Sequence, residues 1–188
     1  MAFNMIQYRD DLEQQLVRVA PVYRACFALW CLQAMLSDYA THIAKGLTKA
    51  DADYINDRVH CLWHCAISGQ LQCESELEGL VNRSNEAQID DSDVLTGIVV
   101  AQLLGACTAV AEVFRTGSAH HAMLVADSCI TCIDAQVSER DGVSPSHDLP
   151  AVPELASELH LQRRMIDYLN TSPAPQSIGL QQFRFAGA

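Results

Sequence analysis

The sequence predicts an all-α protein, a bundle of about seven helices built from two helical hairpins plus terminal helices. Apolar residues recur at three- and four-residue spacing along most of the chain. No stretch shows the two-residue alternation of a half-buried strand. Aromatic residues are only 6%, and Gly and Pro are sparse. A length of 188 residues suits one domain, with 49% hydrophobic residues to fill its core. The helical domain is expected over positions 1–170, with an irregular tail over 171–188 that carries Pro173, Pro175 and Gly179.

The first helix is expected from about Asn4 to Ala20, with Ile6, Leu12, Leu16 and Val17 inward. Pro21 suits the first turn of a second helix, where its missing N–H costs nothing. Ala28, Leu32, Met35, Leu36, Tyr39 and Ile43 carry that helix to about Ala44, and Gly46 ends it. Thr48 is the expected N-cap of a third helix, with Asp51 in its first turn. Its stripe is Ile55, Val59, Leu62, Trp63, Ala66 and Ile67, and Gly69 supplies a left-handed stop. A short acidic helix follows over Cys73 to Arg83.

Asp93 is placed to cap a fifth helix that carries no charge from Val94 to Ala111. That stretch is long enough to cross a bilayer. Thr96, Gln102 and Thr108 interrupt it, acids precede it, and no Lys or Arg lies near its first turn, so a central buried helix is the reading. Gly97, Ala101, Gly105 and Ala109 recur along it every four residues, a row expected to seat another helix closely. Gly117 and Ser118 separate it from a sixth helix with Met123, Ala126, Ile130, Ile133 and Val137 inward. After a Gly/Pro/Ser loop over 141–153, Pro153 opens a seventh helix to about Asn170.

Eight cysteines would suit a disulfide framework in a small secreted domain, but most of these sit in apolar helical stretches and behave as small hydrophobes. The N-terminal residues lack a basic region followed by an apolar one. Both features point to a reducing, cytoplasmic setting.

Candidate chemistry is sparse. His60 and His64 lie one helical turn apart with Asp57 a turn earlier, which is a two-ligand metal geometry. It lacks the Glu that follows the first His of a zinc-protease helix, and a third ligand would have to come from elsewhere, such as His120, His121 or a carboxylate. The Cys129–Cys132 pair falls mid-helix, away from the helix N-terminus that activates a redox thiol, and reads as packing. Cys61 and Cys65, at i and i+4, are likewise mid-helix. His120 and His121 open the sixth helix and read as a solvated pair. No phosphate loop, dinucleotide fingerprint or nucleophile elbow is present. No catalytic residue, metal or cofactor is assigned on these grounds.

The run Asp91-Ser-Asp-Val-Leu-Thr-Gly, the small-residue helix ending Ala-Glu-Val-Phe, and Ala-His-His-Ala-Met-Leu-Val-Ala-Asp-Ser-Cys-Ile-Thr resemble the YjaG-like bacterial family, a domain of unknown function. Phe27-Ala-Leu-Trp-Cys-Leu-Gln and Asp57-Arg-Val-His-Cys-Leu-Trp resemble its first hairpin, and the likeness covers roughly positions 10–170. The resemblance implies an all-helical cytoplasmic protein, with a homodimer as one form, and implies no catalytic residue. The loop 141–153 and the tail after 171 depart from the family pattern, which leaves room for a specialised partner.

Charge is the stronger functional signal. Twelve basic and twenty-three acidic residues give a formal net charge of −11. That argues against nucleic acid and anionic membranes as partners, since both require a cationic surface. Between Arg58 and Arg115 the only basic residue is Arg83, whereas the same interval holds eight acids. Glu74, Glu76, Glu78, Glu86, Asp90, Asp91 and Asp93 form the expected partner-binding segment. The expectation is therefore a non-enzymatic protein-binding module, specifically an immunity-type inhibitor of a basic toxin domain such as a nuclease. The alternatives are a YjaG-like housekeeping protein, dimeric in one form, and a metal-dependent enzyme using His60 and His64.

Overall fold

The structure is a computed structural model that describes residues 5–90, 93–142 and 152–171. These form eight helices and no strand: α1 (Met5–Arg18), α2 (Pro21–Asp38), α3 (Ala40–Gly46), α4 (Lys49–Ile67), α5 (Glu74–Glu86), α6 (Val94–Thr116), α7 (Ala119–Asp141) and α8 (Pro153–Thr171). The expected tail and most of the expected 141–153 loop lie outside the described residues.

The antiparallel hairpin α6–α7 and the helix α2 packed on both of its members form the centre. Helices α1 and α8 cover α7, while α3 and α5 cover α6. Helix α4 bridges α2 and α5. By length and composition α6 could cross a membrane, but 61% of its most apolar window is buried inside the protein, as in a core helix. In α2 every residue from Ala25 to Leu32 is buried, so that half-turn after half-turn meets protein on all sides rather than along one stripe.

Most helix boundaries follow the local chemistry of the sequence. Thr48 accepts a hydrogen bond from the Asp51 amide at 3.2 Å, Asp93 from the Leu95 amide at 3.2 Å, and Ser118 from the His121 amide at 3.2 Å. Gly117 ends α6 in the left-handed region at φ 67°. A Cβ there would also lie 3.0 Å from the Cβ of Pro21, so the corner needs glycine for both conformation and space.

Four expectations need correction. The second helix does not run through to Ala44. It breaks at Tyr39 (φ −113°, ψ 21°), although the Tyr39 amide still reaches the Met35 carbonyl and its carbonyl still accepts from Ile43. The break redirects α3 onto the first turns of α6. Gly46 makes that approach feasible, because a Cβ there would sit 2.7 Å from methyl groups of both Thr96 and Val100. Second, Ile6 and Val17 are 68% and 60% exposed, and Tyr8 takes the inward position on α1. Third, Ile67 at the end of α4 is exposed. Fourth, the small-residue row on α6 does not seat a helix along its length: Ala101 and Gly105 face solvent, and only Ala109 is buried.

Two polar arrangements lock the bundle. Arg24 of α2 donates to the carbonyl oxygens of Leu16 (2.8 Å), Val17 (2.7 Å) and Gly117, joining the end of α1 to the α6–α7 corner. The buried Tyr8 hydroxyl donates to Gln162 Oε1 at 2.6 Å, and Gln162 Nε2 donates to Glu158 Oε1 (2.8 Å) and to the Ala126 carbonyl (3.1 Å). This network ties α1, α7 and α8 together in the buried interior, where unpaired groups are costly.

Three substitutions test these assignments by urea denaturation. Gly117→Ala costs about 1–2 kcal/mol or more, because it combines left-handed strain with a clash. Gly105→Ala, in open space mid-helix, stabilises by roughly 0.5–1 kcal/mol. Tyr8→Phe strands a buried amide oxygen and costs about 1–3 kcal/mol. Equal effects of the two glycine changes would refute the account of the corner.

Candidate protein-binding surface

The acidic segment is carried by α5 and by the chain leading into α6. Helix α5 buries Leu77, Leu80 and Ser84. At 100° per residue this inward stripe leaves Glu78 and Glu86 pointing outward, with Glu74 and Glu76 on opposite flanks. Ser84 donates to the Leu80 carbonyl at 2.8 Å.

The structure separates these acids into two groups. Glu78 and Glu86 are exposed and make no ion pair among the described residues. Glu76 bonds the Ser75 hydroxyl at 2.9 Å, and that bond holds its carboxyl below the usual range. Asp90 is exposed. Asp91 lies outside the described residues. Glu74 receives two contacts from Arg115, at 2.9 and 2.6 Å, so its charge is compensated. Asp93 is committed to capping α6; the Thr96 hydroxyl, donating at 2.7 Å, lowers its carboxyl first, with the Leu95 amide contributing.

Arg83 of α5 and Arg58 of α4 also lie among the acids. Arg83 pairs with Asp51 of α4 at 2.6 Å. Arg58 and Arg83 both lie over the ring of Tyr54, 5.3 and 5.4 Å from its centroid. The surface is therefore less uniformly negative than the linear run of residues implies. Its free acid charge concentrates along the outer edge of α5.

Beside the start of α5 lies a groove of about 670 Å³ lined by Pro21, Leu71, Gln72, Glu74, Phe114, Arg115, Thr116 and Gly117. The Glu74–Arg115 pair stands at its wall, with Leu71 and Phe114 as its apolar contribution. Sequence reasoning did not find this groove, because it is assembled from the α2 start, the α4–α5 turn and the α6 end.

Comparison with models of protein families, with curated proteins and with solved structures finds no match.

The remaining candidates fall out as follows. His60, His64 and Asp57 are all exposed on α4, one turn apart. Among the described residues no group of three or more His, Cys, Asp or Glu side chains is placed to hold a metal ion. His120 is not merely solvated: its Nδ1 lies 3.1 Å from Glu13 of α1, and His121 is half-buried against it with ring centroids 5.8 Å apart. Cys129 and Cys132 are buried in α7, and Cys129 donates to the Cys31 carbonyl at 3.4 Å. Burial pushes the Cys26 and Cys107 thiols up to about 12, which removes them as nucleophiles at neutral pH.

A second groove, about 570 Å³, runs between α6 and α7 and is lined by Val94, Leu95, Ile98 and Asp134 among others. One carboxylate oxygen of Asp134 is buried there without a hydrogen-bond partner, and burial raises its pKa. A raised acid stabilises the fold at low pH and loses that contribution as pH rises through the native value. Asp134→Asn is therefore expected to raise the melting temperature at pH 7 by about 1–3 °C, since the group is only partly shielded from water. The gain should vanish below about pH 4, where the carboxyl is neutral in both states. A gain that persists unchanged at acid pH would remove burial of charge as its cause.

Proposed function

We propose that the protein is a non-enzymatic, cytoplasmic binding module of the immunity type, which neutralises a basic bacterial toxin domain. One observation carries the reading. The helix that presents Glu78 and Glu86 outward also begins at the wall of the groove containing Leu71 and Phe114. Exposed acids accelerate encounter with a cationic cleft and give orientation, but contribute little lasting affinity once screened. An adjoining concavity with an aliphatic and an aromatic lining residue can accept an anchoring side chain, which slows dissociation. A partner with a basic surface and one protruding apolar residue satisfies both. The resemblance to the YjaG-like family supports the helical, non-catalytic part of this reading and supplies no site residue.

The test is capture of a basic partner from the native host, followed by binding kinetics. The double charge reversal Glu78→Lys with Glu86→Lys should slow association at least tenfold at low salt and flatten its salt dependence. Leu71→Ala should instead raise the dissociation rate roughly tenfold and leave association unchanged. Association that ignores both salt and charge reversal defeats the acidic-edge proposal.

A second reading is a YjaG-like self-associating protein. The solvent-facing Ala101 and Gly105 and the half-buried Gly97 on an uncharged stretch of helix favour it, since small residues permit close helix approach. Light scattering of the purified chain distinguishes the two: a dimer dispersed by Ala101→Glu favours self-association, and a monomer at all concentrations removes it.

A further inference from the structure

Helix α8 runs antiparallel to α7. Arg140 near the end of α7 pairs with Glu154 in the first turn of α8 at 2.6 Å, and Gln162 Nε2 bonds the Ala126 carbonyl at 3.1 Å. At about 1.5 Å per residue, Thr171 stands about 13 Å beyond Gln162, level with the α6–α7 corner. Gly117 at that corner and Pro21 at the start of α2 line the groove that also contains Leu71 and Phe114. Helix α8 therefore ends at the same end of the bundle as this groove. Residues 172–188 lie outside the described residues and read Ser-Pro-Ala-Pro-Gln-Ser-Ile-Gly-Leu-Gln-Gln-Phe-Arg-Phe-Ala-Gly-Ala. All 23 acids of the chain precede this segment. Its one charged side chain is Arg184, flanked by Phe183 and Phe185.

We propose that the groove beside the start of α5 is a docking site for this chain's own segment Phe183-Arg184-Phe185, an aromatic ring lying against Leu71 and Phe114 and Arg184 against the acids of the rim. Reach permits it. The residues from Thr171 to Phe183 span up to about 40 Å when extended, whereas two interhelical spacings amount to about 20 Å. Charge favours it. Arg115 is shared between Glu74 at 2.6 Å and Glu112 at 3.2 Å, and Glu78 stands one turn beyond Glu74 with no ion pair among the described residues. Three carboxylates thus stand around one guanidinium, and Arg184 supplies a second. Tethering favours it as well. A segment held on a short linker meets its site at an effective concentration on the order of millimolar, so a contact of modest affinity is well occupied.

The groove between α6 and α7 is the poorer seat. Its α7 residues Thr131, Asp134 and Ser138 lie about 20–30 Å back from Gly117 along the helix, away from the end of α8. It also presents no aromatic ring to a phenylalanine. Seating of the segment rests on the groove, the end of α8 and the charges of the rim, and it is independent of the toxin reading. Its consequence for a partner does rest on that reading. Phe183, Arg184 and Phe185 carry, in three consecutive residues, the apolar anchor and the positive charge ascribed above to the partner. The segment is then an internal competitor that a partner displaces from the groove.

The test places the photoreactive residue p-benzoylphenylalanine at position 183 of the full-length chain, irradiates it at low protein concentration, and maps the products by fragmentation mass spectrometry. The expected products are cross-links within one chain to Leu71–Glu74 or Phe114–Gly117. Arg184→Glu should lower their yield roughly fivefold at low salt, and adding Glu78→Lys should restore it. Cross-links to the groove between α6 and α7, products that join two chains, or a yield no higher than that from the same probe at Ser177 would each overturn the docking. A yield indifferent to Arg184→Glu would overturn the role of the rim acids. None of these results bears on the toxin reading, which stands or falls on association kinetics with a captured partner.

Discussion

A helix of 23 residues with no charge between Val94 and Ala111 has to be wrapped by other protein, and the remaining helices are arranged by how they wrap α6. α2, α3, α5 and α7 all pack against it. Leu103, Cys107, Val110 and Val113 are left with no accessible surface. Close packing then imposes local demands that no propensity scale contains. Gly46 must lack a side chain because α3 crosses the methyl groups of Thr96 and Val100. Gly117 must turn left-handed against Pro21 so that α7 can return along α6. Arg24 donates to carbonyl oxygens at the ends of α1 and α6, the Leu16 carbonyl also accepting from the Val19 amide.

What could be read in the sequence is what acts over a few residues. The caps Thr48, Asp93 and Ser118 are local hydrogen bonds between a side chain and an amide two or three residues on, so residue type and spacing suffice to place them. The break at Tyr39 left no such mark. Positions 35, 39 and 43 keep helical spacing across it, the backbone bonds nearly persist, and the redirection is driven by docking on α6. The inward side of α1 has a related cause. Tyr8 is drawn in by Gln162, 154 residues away, and no local pattern announces that bond. The small-residue row on α6 has the spacing of a helix seat, but Ala101 and Gly105 within it face solvent.

The acidic surface shows the same division between local and distant causes. Counting along the chain finds a nearly one-signed segment, because most of the neighbouring arginines are contributed by other elements. Arg58 comes from α4 and Arg115 from the end of α6, and only Arg83 belongs to α5 itself. Asp93 contributes to folding through its cap, and Glu74 to the wall of a groove. The free charge that remains is narrower and is centred on Glu78 and Glu86. A linear charge run therefore overstates a field that is set by neighbours in space.

These parts converge on the turn between α4 and α5. It sets where the acidic helix begins and supplies Leu71 to the groove. An encounter guided by exposed carboxylates is effective only over about 8 Å at physiological salt, so the distance between the acidic edge and the groove matters more than the total charge. That distance is fixed by how rigidly the turn joins the two helices. Left-handed Gly69 and the bonds that close on the Cys65 carbonyl already restrict it. A change in that turn acts on the geometry relating the acids to the groove, while leaving the charge of the acids and the shape of the distant core as they are.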